Sequence, residues 1–383
     1  MSQNPAVPAP AGESDPGEAV AGIGRWLAVE SPTDCASGVN RMMDLVAAEA
    51  GAVGIACERI PGRDGLGDHL RLRAGPRRDE PGILVLSHLD TVHPVGTLAA
   101  DLPVRVEGDR LYGPGVYDMK GGAWLAFQGF LAAARGGAAR RPLTFLFTSD
   151  EEIGSPTSRA LIEAEGRRAG AVLVTEPARD GGRVVTGRKG VGRFDVHVEG
   201  RPAHSGSRHA DGRNAIREAA RLILAIEAMT DYERGITTTV GTIQGGTAQN
   251  VIPQHCRFSV DLRVVGAADG RACEATILGL TASPDFSLTI TGGMNRPPYA
   301  KDEGGERLYA HARDLAAAEL GQDLGEVPLT GGGSDGNFTA ALGVPTLDGL
   351  GIDGDGAHTL HEYALISSIA PRRLLMRRLL ETL

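Results

Sequence analysis

The chain has 383 residues, 42% hydrophobic and 23% charged, the balance of a globular protein large enough to bury a core without disulfide staples. Its 39 basic and 48 acidic side chains give a net charge of −9, which disfavours nucleic acid or an anionic membrane as the main partner and leaves room for a local cationic pocket. The 54 glycines and 22 prolines require many tight turns. Cys35, Cys57, Cys256 and Cys273 lie far apart with no CxxC pair, so they read as reduced thiols in a cytoplasmic protein. The N-terminus lacks the basic and apolar segments of a secretory leader, and no apolar run approaches the roughly 18 residues that span a bilayer. Residues 1–17, rich in Pro, Ala, Gly and acid, read as a disordered tail.

In chain order, residues 83–86 are a continuous apolar run of strand length that ends in Ser87-His88-Leu89-Asp90. Residues 143–148 repeat the arrangement and end in Ser149-Asp150-Glu151-Glu152; residues 171–175 repeat it again and end in Glu176. Three buried strands that deliver imidazole or carboxylate at their C-terminal ends predict an α/β domain with its ligand edge there. From residue 190 the texture changes. Residues 194–198 alternate as a half-exposed strand, 214–229 carry helical spacing, 237–243 and 256–264 read as strands, 271–280 as a helix and 287–291 as a last strand. This β-α-β-β-α-β order predicts a ferredoxin-like unit inserted into the larger domain. After Pro297-Pro298 come a helix over 306–320, the glycine-rich 331–336, a strand over 344–347 and a helix from 369. The expected boundaries are therefore 18–189 and 299–383 for the larger domain and 190–298 for the insert.

The chemistry-bearing residues follow in one order: His88-x-Asp90, Gly113-Pro-Gly115-Val-Tyr-Asp118-Met-Lys-Gly121-Gly122, Glu151-Glu152, Glu176-Pro177 and Gly356-Ala357-His358-Thr359. Each piece alone has an ordinary reading, as a solvated acidic pair, a helix cap or a strand-end cap. Together, at strand ends and among glycines, they resemble the signature of the M20 family of dinuclear zinc peptidases and amidohydrolases, in its glutamate carboxypeptidase-like branch. The resemblance extends to Gly200-Arg-Pro-Ala-His204-Ser-Gly206, to Gly245-Gly-Thr-Ala-Gln-Asn250-Val-Ile-Pro253 and to the 331–336 loop.

The resemblance implies a zinc-peptidase catalytic domain, a central mixed sheet flanked by helices, with the βαββαβ insert as lid and dimerisation domain. It implies two divalent ions bridged by Asp118, one held by His88 and Glu176, the other by Glu152 and His358. Oxygen and imidazole donors without thiolate suit zinc, with cobalt or manganese as substitutes. Hydroxide bridging the metals is then the nucleophile and Glu151 the general base, on the opposite side of an extended segment from Glu152. Asp90 is placed to accept the second N–H of His88 and fix its tautomer. His204, from its own or a partner subunit, is expected to polarise the scissile carbonyl or stabilise the oxyanion, and Asn250 to contact substrate. Arg263 and Arg296 are candidate clamps for a substrate carboxylate, and the loop containing Gly333 offers backbone N–H groups to the same carboxylate. His93 is placed at the mouth of the site, and His361 is not a ligand.

The expected function is metal-dependent hydrolysis of an amide bond to an amino acid with a free carboxylate, in a homodimer formed through the insert. The alternative is a deacylase of an N-acetylated or N-succinylated biosynthetic intermediate. A metal-free binding protein on the same fold is a distant third, since no ligand or base residue is missing. No serine lies in G-x-S-x-G and no cysteine has a catalytic neighbourhood.

Overall fold

The structure, a computed structural model, describes residues 16–76 and 79–383. The expected tail lies outside the described residues apart from Pro16 and Gly17, which open the first helix. The chain forms two units. One runs from the first described residue to Thr186 and includes Asp302–Val327 and Leu342–Leu383; the other is Gly187–Lys301 with Pro328–Ala341.

The first unit begins with α1 (Pro16–Leu27) and α2 (Ala36–Gly51), followed by β1 (Ala56–Ile60), β2 (His69–Ala74) and β3 (Gly82–His88). Pro16 suits the first helical position, and Ala19, Ile23, Trp26 and Leu27 fall on one buried stripe. A short α3 (Thr97–Ala100) and the strands β4 (Arg105–Glu107) and β5 (Arg110–Tyr112) lead to the irregular turn Val116–Lys120 and to α4 (Gly121–Gly136). The α4 sequence GGAWLAFQGFLAAARG is apolar nearly all round because the helix is buried nearly all round. Next come β6 (Leu143–Thr148), α5 (Arg159–Gly166), β7 (Ala169–Val174) and β8 (Val184–Val185).

The second unit contains β9 (Gly190–Glu199), α6 (Ala215–Glu227), β10 (Thr237–Gly245), β11 (His255–Val264), α7 (Ala267–Leu278) and β12 (Ser287–Arg296). Its antiparallel sheet has the order β10-β11-β9-β12, the ferredoxin-like order expected for βαββαβ. Alternation decides its faces. Phe194, Val196, Val198, Phe258, Val260 and Leu262 pack into a core with Leu222 and Ile226 of α6, while Arg193, Asp195 and Arg257 stay exposed.

The chain then continues through α8 (Glu303–Leu315), β13 (Glu326–Val327), α9 (Gly336–Ala340), β14 (Thr346–Leu347), β15 (Gly354–Asp355), β16 (Tyr363–Leu365) and α10 (Ile369–Thr382). Of these, α9 belongs to the second unit and the rest to the first. The central sheet of the first unit is mixed, in the order β1-β2-β6-β3-β7-β14, with β6, β3, β7 and β14 parallel and β1 and β2 antiparallel. The buried parallel strands are continuous apolar runs, as strands covered on both faces must be. A second antiparallel sheet, β15-β16-β5-β4, was not expected, because strands of two or three residues carry no readable period.

Candidate active site

The three adjacent parallel strands β6, β3 and β7 end at one edge of the central sheet. His88 is the last residue of β3, Glu176 lies just beyond β7, and Glu151 and Glu152 open the single turn Glu151–Ile153 that follows β6. Asp118 comes from the Val116–Lys120 turn, whose Asp118–Met119 peptide is cis. His358 comes from the β15–β16 hairpin, which pairs with β5 immediately before that turn. Gly122, at the start of α4, allows the close approach: a Cβ there would collide with the Thr175 carbonyl oxygen beyond β7. His358 itself has a left-handed backbone, φ 63°, which costs a non-glycine residue about 1–2 kcal/mol.

His88 is buried and its Nδ1 lies 2.9 Å from the Asp90 carbonyl oxygen. A carbonyl only accepts, so Nδ1 donates to it, and Nε2 is the ring atom left facing the cluster to take up a proton or a metal ion. That Nε2 lies 3.3 Å from Asp118 Oδ1 and 3.8 Å from Glu176 Oε1, and makes no hydrogen bond among the described residues. Asp118 Oδ2 lies 3.3 Å from His358 Nε2, which is 3.2 Å from Glu152 Oε2. The buried Glu152 Oε1 also has no hydrogen-bond partner among the described residues. One donor atom each from His88, Asp118 and Glu152, and likewise from His88, Glu151 and Glu176, lie within 4.8 Å of one another. A buried lone pair facing carboxylate oxygens is repulsive until a cation stands between them, so the donor set fits divalent metal.

The electrostatics carry the same excess of negative charge. Asp118 and Glu152 push the His358 imidazolium up to about 10. Burial works against charge on His88, yet Asp118 and Asp90 raise it well above the ordinary imidazole range. Burial pushes Glu152 up to about 7, with Asp118 adding repulsion. Asp118 is held far below the carboxylate range by His358 and His88 despite its burial.

Asp90 differs in detail from its expected part. Its backbone carbonyl takes the His88 N–H, while its carboxylate Oδ1 stands 3.4 Å from that ring nitrogen. The carboxylate accepts from Glu151 N (3.2 Å), Glu152 N (3.2 Å) and Thr33 Oγ1 (2.7 Å), and so seats the two glutamates. These are not an extended pair: they lie in a 3₁₀ turn, where successive side chains point about 120° apart, and both reach the cluster. Glu362 was missed as a site residue. Its buried carboxylate accepts from the amides of Gly115, Tyr117 and Asp118 and meets His93, which is buried rather than at the mouth. The available signal was its position four residues beyond His358.

The remaining expected residues belong to the second unit. His204 is exposed, and its Nδ1 accepts from Gly206 N (3.1 Å) and Ser207 N (3.2 Å), which leaves the proton of the neutral ring on Nε2. Its loop pairs with the one carrying Asn250, through Ser205 N to Asn250 O (2.9 Å) and Ile252 N to Ala203 O (2.8 Å). Arg263 gives Nε and Nη2 to Asp261 at 2.7 and 2.8 Å and Nη1 to Gly331 O at 3.3 Å. Arg296 is buried, bonded to Asp335 at 3.0 Å with its guanidinium 4.9 Å over Phe338. Gly333 lies against its stem, where a Cβ would come 2.6 Å from Arg296 Cδ. Both arginine forks, expected as open clamps, are thus engaged by aspartates of their own unit; for the buried Arg296 the reason is that a guanidinium out of water without a partner is strongly disfavoured, while the half-buried Arg263 meets an acid two residues away on its own strand.

Residues 84–382 match the model of Peptidase family M20/M25/M40. The chain is 34% identical over 308 residues to carboxypeptidase G2 of Pseudomonas sp. (strain RS-16), covering 78% of this chain and 73% of that protein. It is 29% identical over 364 residues to succinyl-diaminopimelate desuccinylase of Dinoroseobacter shibae, covering 88% and 92%. Among solved structures it shares its fold with the M20 family metallo-carboxypeptidase Sso-CP2 of Sulfolobus solfataricus, with a TM-score of 0.77 at 17% identity over 95% of this chain and 98% of that one. With its candidate metal-ligand groups at the C-terminal edge of the sheet, the chain belongs to peptidase family M20/M25/M40 and is a divalent-metal hydrolase of amide or peptide bonds.

Proposed function

We propose that the protein hydrolyses an amide bond whose amine half is an amino acid with a free carboxylate, in the manner of a carboxypeptidase or N-acyl amino acid amidohydrolase. The observation that carries this reading is Asp118, whose two oxygens each lie 3.3 Å from a different imidazole, that of His88 and that of His358. In this reading Asp118, His88 and Glu176 would hold one ion, and Asp118, Glu152 and His358 the other. Nitrogen and oxygen donors favour zinc, with cobalt or manganese as substitutes. Divalent ions held there supply Lewis acidity, easing deprotonation of water and taking up negative charge from the carbonyl.

The chain's own groups do the rest. Glu151 takes the proton of the attacking water and returns it to the leaving amine. Asp90 holds the His88 tautomer through its carbonyl and seats Glu151 through its carboxylate. His204, with its proton on Nε2, is a ready donor to the oxygen that becomes negative, and Asn250 on the paired loop contacts substrate. Arg263, held by Asp261 through Nε and Nη2 and by Gly331 O through one N–H of Nη1, offers its second Nη1 N–H to the substrate carboxylate, while Arg296, locked to Asp335, braces the loop around Gly333.

The protein acts as a homodimer through its second unit, where β10 is an edge strand and Leu224, Ile243 and Tyr232 are 72%, 55% and 85% exposed. No described helix is long and apolar enough to cross a membrane, and the four free cysteines fit a reducing cytoplasm. The reading is tested by stripping metal with chelator, restoring Zn²⁺ or Co²⁺, and assaying N-acyl amino acids and dipeptides as free acids and as methyl esters. Metal-dependent turnover, with kcat/KM at least about tenfold higher for the acids, is expected for a charge-assisted contact. Equal rates on acid and ester would sink the carboxylate reading. The desuccinylase likeness supports a second reading, and faster deacylation of N-succinyl diamino acids in the same panel would select it.

A further inference from the structure

Glu362 is fully buried one residue before β16, on the hairpin that carries His358. Its Oε1 accepts from Tyr117 N at 2.8 Å and Asp118 N at 2.9 Å. Its Oε2 accepts from Gly115 N at 2.8 Å and lies 2.7 Å from His93 Nε2. A carboxylate taken out of water must have its lone pairs occupied, and here three peptide N–H groups and one imidazole occupy them. All three peptide groups belong to the segment that presents Asp118. That segment is not a regular helix: Asp118 (φ −117°, ψ 93°) and Met119 (φ −134°, ψ 26°) leave helical geometry, so its amides need an acceptor from elsewhere.

We infer that Glu362 is a positioning residue that fixes the Asp118 carboxylate between its two imidazole neighbours and couples its placement to that of His358. One hairpin supplies both His358 and the acceptor for the Asp118 turn, with the residues between them held by the Asp355–Tyr363 strand pairing and by Gly356 at φ 82°. A shift of the hairpin therefore moves His358 and the Asp118 turn together, and His93 closes the far side of the carboxylate. The inference rests on the proposed ligand roles of Asp118 and His358.

The test uses the full chain, stripped of metal, as wild type, Glu362→Gln, Glu362→Asp and His93→Asn. Each is titrated with Zn²⁺ against a chromophoric chelator and with Co²⁺ for its absorption spectrum, and thermal unfolding of the metal-free proteins is followed alongside. Glu362→Gln keeps the volume but turns an N–H₂ toward Gly115 N or toward the Tyr117 and Asp118 amides. It is expected to weaken Zn²⁺ binding about 10–100-fold and to alter the Co²⁺ spectrum. Glu362→Asp recovers part of the affinity, and His93→Asn weakens binding less, in the same direction. A folded Glu362→Gln protein with wild-type Zn²⁺ affinity and Co²⁺ spectrum overturns the inference; if that variant does not fold, the same result for Glu362→Asp and His93→Asn overturns it. Wild-type protein that binds no metal instead overturns the ligand roles on which the inference rests, a distinct result.

Discussion

A carboxylate beside a metal ligand either coordinates or moves protons, and for Glu151 the two parts separate experimentally. Its backbone amide is held by Asp90 Oδ1, and its carboxylate shares the His88 and Glu176 neighbourhood. Glu151→Gln keeps the shape and removes the base. The expected outcome is a fall in kcat of about 10²–10⁴ with two metal equivalents retained, read from steady-state kinetics and metal analysis on the same sample. Near-normal kcat would remove the base assignment, and loss of metal would make Glu151 a ligand. His88, Asp118, Glu152, Glu176 and His358 were named as candidate ligands through the resemblance to the M20 family, which rests on the order of donor-type side chains at strand ends and among glycines. The division of labour within Asp90 was not legible, since which of its oxygens meets the imidazole depends on a backbone direction that no residue name encodes.

At the level of helices and strands, α6 shows how one buried charge ties an element down. Its N-cap Asn214 accepts from Arg217 N at 3.0 Å, and Glu218 in its first turn accepts from Ser283 N (2.8 Å), Ser283 Oγ (2.9 Å) and Arg221 Nη2 (2.7 Å). Burial opposes charge on Glu218, but the hydrogen bonds from Arg221 and Ser283 outweigh it and hold the carboxyl below its ordinary 4.5. A depressed folded-state value means the stabilisation is complete above the unfolded-state value and is lost as pH falls through the lower one. Glu218→Gln is therefore expected to be less stable by about 1–3 kcal/mol at pH 7, with the difference narrowing as pH falls below the ordinary value of 4.5. Thermal unfolding at pH 7 and pH 3.5 checks this, and a gap independent of pH would show that the carboxylate charge contributes nothing. The long strands and α6 were legible from their periodicity. The 3₁₀ turn of Glu151–Ile153 and the β15-β16-β5-β4 sheet were not, because each piece is too short to have a period.

For the molecule as a whole, the proposed homodimer would use the exposed apolar side chains of the second unit. Leu224 and Ile243 lie on α6 and on the edge strand β10, and a second copy would bury both. Sedimentation of the wild type is expected to give the dimer mass, and Leu224→Glu with Ile243→Lys the monomer mass, with the second unit's fold retained by circular dichroism. A wild type that sediments as a monomer at micromolar concentration would end the dimer proposal.

Hydrophobic pattern along the chain was enough for the α/β and βαββαβ architectures, because buried strands need particular patterns, and the ordered motifs, through their resemblance to the M20 family, were enough to name the family and the candidate ligands. Three things waited for the tertiary structure. The 328–341 segment clusters with the second unit, where Gly333 packs on Arg296. Both candidate arginine clamps turn out to be engaged by neighbouring aspartates. Glu362 gathers the amides of a turn more than two hundred residues earlier in the chain. Each is a contact between groups far apart in sequence or a choice among equivalent polar partners. Such choices follow from the desolvation of particular atoms, which depends on what the folded chain places beside them.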